Sequence, residues 1–197
     1  MRKVFLRILT VLGLGLSFAA SHDTAIAESY APFLSRLLAQ GNAQNLFQPA
    51  VEQQLLGLVN GFRRSHGLIA LADDASLKGA ARGHAVDMAL HNFLGHSATS
   101  GHDFDSRMHA LRPGVMVLPA MGENAATMHP ATGGAQAVAQ QLFQAWLSSP
   151  PHLHTMLSRD FIRVATGVAI FGGKAYADQI FVGPQVQTNL NAGGTGN

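Results

Sequence analysis

The end of the chain constrains the fold most, because two apolar runs with β character lie there on either side of a glycine pair. The runs cover residues 164–171 and 175–182, and Gly172-Gly173 separates them. A two-residue glycine turn is typical of the tight turns that join antiparallel strands. We therefore predict a terminal β-hairpin, against which the preceding part of the chain has to pack.

The chain ahead of this hairpin is helical in its periodicity. Between Pro49 and His66, apolar residues recur at helix spacing: Val51, Leu55, Leu58, Val59 and Phe62. We expect a second helix from an N-cap at Asp73 or Asp74 to about residue 92. Further helices are predicted over 104–111 and 135–147, and Pro150-Pro151 opens another short one.

An apolar segment, residues 115–121, is a further strand candidate ahead of Gly122-Glu123-Asn124. A succession of helices with one strand and a terminal hairpin favours an α+β fold, in which helices pack on a small antiparallel sheet in up to three layers. No internal repeat is visible in the sequence.

The first 27 residues have the pattern of a secretory signal peptide. A basic start at Arg2, Lys3 and Arg7 precedes an apolar run over 8–20, and Ala25-Ile26-Ala27 is an A-x-A cleavage site. A bilayer needs about 20 apolar residues, so an uncleaved anchor is the less favoured alternative. We expect an exported protein, secreted or periplasmic, cleaved near Ala27 and without a transmembrane span in the mature chain.

Removing this leader changes the charge balance. The whole chain has 13 Lys and Arg against 11 Asp and Glu, and the leader holds three of the basic residues and one acid, so the mature chain is neutral. Without a basic cluster, nucleic acid is excluded as an expected partner. The chain has no cysteine and hence no disulfides, which for an exported protein favours a bacterial origin.

The mature chain divides into three segments. Residues 28–49 are treated as an N-terminal extension, with a short amphipathic helix around a group of apolar side chains: Phe33, Leu34, Leu37 and Leu38. Residues 50–185 form the predicted domain. The tail over 186–197 is rich in Gly and Asn and is predicted to be disordered.

Three residues are the main candidates for a site. His96 lies between Gly95 and Ser97, Glu123 follows a glycine, and His152 follows two prolines. Loop residues on stiff supports are typical of functional sites. Two imidazoles and a carboxylate can hold a divalent metal such as Zn²⁺ with a position left for water, share protons, or form a buried hydrogen-bond network. The residues alone leave these alternatives open.

Other polar groups are weaker candidates. His84, Asp87 and His91 share one helix face and could add metal ligands, but a His–Asp hydrogen bond that anchors the helix is favoured. His154 is expected at the surface. Ser97 is poorly placed to be a nucleophile beside His96. The sequence lacks H-E-x-x-H and nucleotide-binding glycine motifs.

Taken in order, these segments resemble the CAP superfamily (the SCP or SCP/TAPS domain of cysteine-rich secretory proteins, antigen 5 and pathogenesis-related 1), in its cysteine-free bacterial branch. The resemblance covers about residues 50 to 183. The matching pieces are Leu55 to Asn60 with Arg63 and Gly67-Leu68, Leu71, Asp74, Leu77, Ala81 to Met88, Phe93 with His96-Ser97, Gly122-Glu123-Asn124, Trp146 with Ser149-Pro150, His152, Gly167-Val168, Gln179 and Phe181.

The resemblance implies an α-β-α sandwich with a central cleft. By motif position, His96 and His152 look like the two cleft histidines and Glu123 like the cleft glutamate. Many relatives have another glutamate soon after the tryptophan, but Leu147 and two serines stand here, and Thr155 replaces the asparagine expected three residues after His152. Both departures count against a four-residue catalytic scheme.

Three functions are therefore carried forward. We favour a non-enzymatic binding module whose cleft takes a divalent metal or a small ligand. The first alternative is a metal- or His-dependent hydrolase acting on envelope peptides or esters. The second is a module that binds a lipid, an envelope component or a protein partner outside the cleft, with the extension as a candidate attachment point.

Overall fold

The computed structural model describes residues 29–40, 43–113 and 119–185. The leader, the tail and all but the end of the 115–121 segment lie outside these ranges. Helices and strands follow in this order: α1 Tyr30–Ala39, α2 Pro49–Ser65, β1 Ala72–Asp73, α3 Lys78–His91, α4 Phe104–Leu111, β2 Met121–Met128, α5 Gly134–Leu147, α6 Pro150–Leu157, β3 Arg163–Phe171 and β4 Lys174–Val182. A turn of 3-10 helix, Ala43–Leu46, follows α1.

The sheet has four strands in the order β1-β3-β4-β2. Strands β3 and β4 form the predicted hairpin, closed at the pair Phe171 and Lys174. Gly172 and Gly173 make the turn with φ angles of 57° and 75°, which side chains disfavour. Strand β2 runs antiparallel to β4 along the edge, whereas β1 adds two residues parallel to β3. The sheet is therefore mixed, not wholly antiparallel as predicted.

Helices cover both faces of the sheet. Alternate side chains of the strands point to opposite faces. One face packs against α2, α5 and α6, with Leu55, Leu142 and Trp146 fully buried between them. The other face packs against α3, with α1 and α4 beside it. This three-layer α-β-α arrangement confirms the predicted α+β sandwich.

Two charged residues make contacts that their sequence pattern does not indicate. The sequence puts Arg63 in the last turn of α2, where a cation suits the helix dipole. The structure buries it completely, and its guanidinium donates to the carbonyls of Met156 at 2.7 Å and Ser158 at 2.8 Å. Asp74 does not cap α3, which begins at Lys78. The Asp74 carboxylate instead accepts a hydrogen bond from the Ser76 amide.

The N-terminal extension packs into the fold. Its predicted helix is α1, which lies on α3 and α4 with Tyr30, Phe33, Leu34 and Leu37 buried. Leu34 rests on the backbone of α3 at Gly83, where a Cβ atom would overlap its Cδ1. The apolar face that could have served as an attachment point is thus taken up by the protein's own core.

Candidate functional site

The site is built on β2, at the free edge of the described sheet. Strand β2 begins where the apolar 115–121 segment ends, so Glu123 lies in a strand and not in a loop. Its side chain points towards Arg107 of α4, whereas the next residue, Asn124, points to the opposite face towards His152 of α6. Adjacent residues of one strand therefore reach two layers of the sandwich.

Glu123 joins His96 to a buried arginine. Its Oε2 atom is 2.7 Å from Nδ1 of His96, and Nη2 of Arg107 donates to its Oε1 at 2.5 Å. The same Nη2 also donates to the main-chain oxygen of His96 at 2.9 Å. Arg107 and Glu123 are buried, whereas the His96 side chain is 52 % exposed. The buried Arg107–Glu123 ion pair thus fixes both the ring and the backbone of His96, which faces solvent.

The loop that carries His96 is fastened to α3 on both sides. His84 places Nε2 at 2.8 Å from the Gly95 carbonyl. Asp87 accepts hydrogen bonds from the amide and the hydroxyl of Thr99, at 2.8 and 2.6 Å. His84 and Asp87 lie on one face of α3, and both hold the backbone of the loop that follows this helix.

The predicted His–Asp pair is formed by His91 and Asp87. Nδ1 of His91 is hydrogen-bonded to the main-chain oxygen of Asp87, four residues earlier on α3, at 3.0 Å, and lies 2.9 Å from Oδ1 of the Asp87 carboxylate. His84 instead bonds to the loop, and burial lowers its pKa, with the positive charge of Arg107 acting in the same direction. His84 and Asp87 therefore support the His96 loop, whereas the described contact of His91 is with Asp87 inside α3.

His152 reaches the site from the first turn of α6, which starts at the predicted proline pair. Asn124 donates from Nδ2 to the main-chain oxygen of His152 at 3.1 Å. Within the described ranges, the His152 ring has no hydrogen-bond partner. The structure thus brings the three predicted residues to one edge strand, although Glu123 contacts His96 through its side chain and His152 is held through its backbone.

The two histidines differ in their electrostatics. The hydrogen bond to Glu123 raises the pKa of His96. Burial lowers the pKa of His152, and the charge of His96 lowers it further. Burial alone would raise the pKa of Glu123, but its bond to His96 and the charge of Arg107 outweigh it and hold that pKa below the usual range.

Sequence reasoning missed Arg107 and Asp178. Asp178 is completely buried on β4, where it pairs with Ala125, two residues from Glu123 on the same face of β2. Neither of its oxygens accepts a hydrogen bond from the described residues, although its carboxyl lies within hydrogen-bonding reach of Glu123. Burial and the charge of Glu123 raise the pKa of Asp178 well above the usual range. A single carboxylate in the apolar run over 175–182 was the available signal.

The donor atoms limit how a metal could bind. Both oxygens of Glu123 already have hydrogen-bond donors, from His96 and Arg107. Across residues 29–40, 43–113 and 119–185, no group of three His, Cys, Asp or Glu side chains is arranged to hold a metal ion. The three-ligand set of His96, Glu123 and His152 stays a prediction, and the imidazoles are the groups with nitrogen atoms left for a ligand.

The remaining candidates lie away from this chemistry or belong to the core. His154 is exposed, as its position after His152 predicts, and Trp146 is fully buried. Ser97 is exposed and has no hydrogen bond to His96 in the described structure. Thr155, which stands where relatives have asparagine, bonds to the Pro151 carbonyl within α6 at 3.0 Å.

Comparison with known proteins agrees with this architecture. A family model described as CAP, the cysteine-rich secretory protein family, matches residues 56–184, which is more than half of the chain. The chain belongs to the CAP family. Because it has no cysteine, it fits the cysteine-free branch that the sequence resembles. The matched residues include the whole His96, Glu123 and His152 site and exclude α1 and the first turns of α2.

Individual relatives come from bacteria. The chain is 31% identical over 121 residues, 61% of its own length, to the Bacillus subtilis protein named "Uncharacterized membrane protein YlbC". Among solved structures, an extracellular SCP-domain protein from Bacillus anthracis is 27% identical with a TM-score of 0.55 over 68% of the chain. An outer surface protein from Borrelia burgdorferi shares the fold, with a TM-score of 0.58 over 70% of this chain and 95% of that one at 16% identity.

The relatives with higher identity are larger proteins. The chain spans 32% of the Bacillus subtilis protein and 40% of the Bacillus anthracis protein. Among the helices that the structure describes, none is long and apolar enough to cross a membrane. What is common to this chain and these relatives is therefore the CAP domain itself.

Proposed function

We propose that this protein is an exported CAP-domain binding module, not an enzyme, in which His96 and His152 bind a divalent cation or a small ligand reversibly. The observation that carries the proposal is the bond from Nδ1 of His96 to Glu123. It leaves Nε2 as the ring atom that can meet a ligand, and the second imidazole is near enough for the charge of His96 to lower the pKa of His152. Zn²⁺ is the expected metal because imidazole nitrogen is one of its usual ligands.

In this proposal Glu123 orients a ligand and is not one itself. A metal-binding histidine ordinarily donates its other N–H to a carboxylate, which fixes the ring and strengthens the metal bond. Glu123 occupies that position, with Arg107 holding the carboxylate in turn. With two protein ligands and the rest of the shell filled by water, binding is expected to be weaker than in closed structural zinc sites, which use four.

Calorimetric titration of the mature protein with Zn²⁺ tests this function. We expect the His96→Ala/His152→Ala double variant to lose binding, and Glu123→Gln to weaken it by about 10- to 100-fold, the usual cost of removing such an orienting group. His154→Ala, which removes an exposed histidine two residues away, is the matched control and should bind as the wild type does. Equal heats from the wild type and the double variant would remove the metal function.

The opposed pKa shifts favour a second candidate, a hydrolase acting on envelope peptides or esters. A histidine with a raised pKa near one with a lowered pKa is the arrangement of a general acid and a general base. Turnover of peptide, ester and peptidoglycan fragments would have to depend on both histidines and follow a bell-shaped pH profile. Turnover that survives the double variant would contradict this candidate.

Export is the remaining part of the proposal and rests on the N-terminal leader pattern, residues 1–27. N-terminal sequencing of the protein from culture medium and from the envelope fraction should find a new start at residue 28. A chain that keeps Met1 or Arg2 and stays with the membrane fraction would support the uncleaved anchor instead.

A further inference from the structure

Helix α1 lies outside the matched CAP residues, yet it contacts the buried arginine of the site. The ring of Tyr30, in the first turn of α1, is 1 % exposed. Its centroid is 5.8 Å from Cζ of Arg107, and the ring of Phe104 is 5.5 Å from the same atom. Both distances fall within the range of cation–π contacts. The guanidinium that holds Glu123 is therefore in contact with two aromatic rings.

These rings matter because hydrogen bonds hold only one part of the guanidinium. Both described hydrogen bonds of Arg107 leave from Nη2, to Glu123 and to the His96 carbonyl. Its Nε and Nη1 atoms are buried and have no partner among the described residues. The rings of Tyr30 and Phe104 meet the rest of the cation, and the Tyr30 hydroxyl also lies within hydrogen-bonding reach of the guanidinium. Burial raises the pKa of Tyr30 to about 12 despite the opposing effect of Arg107, so the ring stays neutral.

Tyr30 is also held in place by the packing of its own helix, α1, against α3. Leu34, one turn later on the same face of α1, sits on Gly83 of α3, where no side chain could be accommodated without displacing it. The same helix α3 carries His84 and Asp87, which fasten the His96 loop. Thus α1 is packed against the elements that build the site.

We infer that Tyr30 is a positioning residue of the cleft, which fixes Arg107 and through it Glu123 and His96. The N-terminal helix is then a working part of the site and not an appendage to the CAP domain. The consequence for ligand binding rests on the proposed function above, whereas the effect on Arg107 does not. Tyr30→Leu keeps an apolar side chain, although a smaller one, and removes the aromatic face.

The experiment compares Tyr30→Leu and Tyr30→Phe in the otherwise unchanged full-length mature protein. The first readout is the NMR signal of the Arg107 side-chain Nε–H, which a fixed, buried guanidinium protects from exchange with water. The second is the dissociation constant for Zn²⁺ alone. We expect Tyr30→Leu to speed Nε–H exchange and to weaken Zn²⁺ binding about tenfold, and Tyr30→Phe to restore both. Ser35→Ala, an exposed position on α1, is the matched control.

A second variant covers the case in which Tyr30→Leu does not fold. Gly83→Ala leaves Tyr30 in place but loosens α1 by displacing Leu34, which faster amide exchange in α1 would register. Loss of the Arg107 signal together with that loosening supports the inference. An unchanged Arg107 signal in Tyr30→Leu, or in Gly83→Ala with a loosened α1, overturns it. If the wild type binds no Zn²⁺, the proposed metal function fails and the Arg107 signal alone decides the inference.

Discussion

His96 and His152 both lie next to the edge strand β2, but the protein supports them in different ways. His96 receives its support through the side chain, from Glu123 and behind it Arg107. His152 is held through its backbone oxygen by Asn124, and its ring has no described hydrogen-bond partner. The adjacent pair Glu123 and Asn124 thus provides an acid on one face of β2 and an amide on the other.

The two kinds of support have different effects: one favours protonation of the histidine ring, and the other fixes only the position of the main chain. A carboxylate next to an imidazole stabilises the protonated ring, whereas an amide that binds the main chain leaves the ring to its surroundings. The pKa of His96 is accordingly raised and that of His152 lowered. The Gly122-Glu123-Asn124 motif can therefore raise the pKa of one histidine without any described contact between the carboxylate and the ring of the second.

The largest effect is expected on the His96 side, from Arg107→Met. The change removes the buried cation from Glu123, and breaking a buried pair in this way costs about 3–5 kcal/mol. Urea unfolding at pH 7 measures the loss. Arg64→Met, at an exposed position on α2, is the control and should stay within about 0.5 kcal/mol of the wild type. Similar losses in both variants would show that the pair contributes little.

Glu123→Gln should remove the difference between the two histidines. His96 has a raised pKa in the folded state, so its bond to Glu123 adds stability that is complete below the unfolded value near 6.5 and disappears as the pH rises through the folded value. The stability gap between wild type and variant should therefore narrow from pH 5.5 to pH 8, by about 1.4 kcal/mol for each unit of His96 shift that NMR measures.

NMR titration of both rings supplies the control for this variant. The His96 pKa should fall in Glu123→Gln, while that of His152 should rise slightly, because a neutral His96 no longer opposes its protonation. A His96 pKa that is the same in both proteins would contradict the assignment of Glu123 as its partner.

The sequence predicts the outline of this site better than its interior. Glu123, His96 and His152 stand beside glycine or proline in an order that resembles a known family, so they can be found. Arg107 lies inside an ordinary helical pattern, and nothing local distinguishes it from a solvent-facing arginine. Its role depends on β2 and α1 packing around it, which are distant in sequence.

The fold, too, has some features that local sequence signals predict and others that depend on long-range contacts. The hairpin turn at Gly172-Gly173 and the start of α2 at Pro49 are local signals, and both are observed. The sequence predicts the start of α3 too early, because Asp74 has the chemistry of an N-cap but uses its carboxylate on Ser76 and lies 3.4 Å from Arg163 of β3. Long-range contacts decide such positions.

A smaller effect of opposite sign is expected from Asp178→Asn. The pKa of Asp178 is raised in the folded state, so its carboxyl lowers the free energy of unfolding increasingly as the pH rises from about 4 towards 7. Asparagine removes that cost because its side chain is neutral at every pH and has nearly the same shape. We expect a gain in stability at pH 7 that shrinks as the pH falls and vanishes near pH 3.5.

The control for Asp178→Asn is the same change at an exposed acid, Asp105→Asn in the first turn of α4. There the carboxylate interacts favourably with the helix dipole, so asparagine should cost a few tenths of a kcal/mol. Unfolding curves at pH 3.5 and 7 compare the two. A loss of stability in Asp178→Asn at pH 7 would mean that Asp178 is ionised and paired in the folded protein.

The smallest effects should separate His96→Ala from His152→Ala. The first removes a partly exposed ion pair, which contributes up to about 1 kcal/mol. The second removes a ring without a hydrogen-bond partner in the described structure, and should change stability by less than about 0.5 kcal/mol at pH 7. Because the pKa of His152 is lowered in the folded state, its ring destabilises the folded protein increasingly as the pH falls below 6.5. The stability of His152→Ala relative to the wild type should therefore be higher at pH 5 than at pH 7. Thermal unfolding at both values checks the sign, and equal pH dependence in the two variants would show that β2 does not distinguish the two histidines.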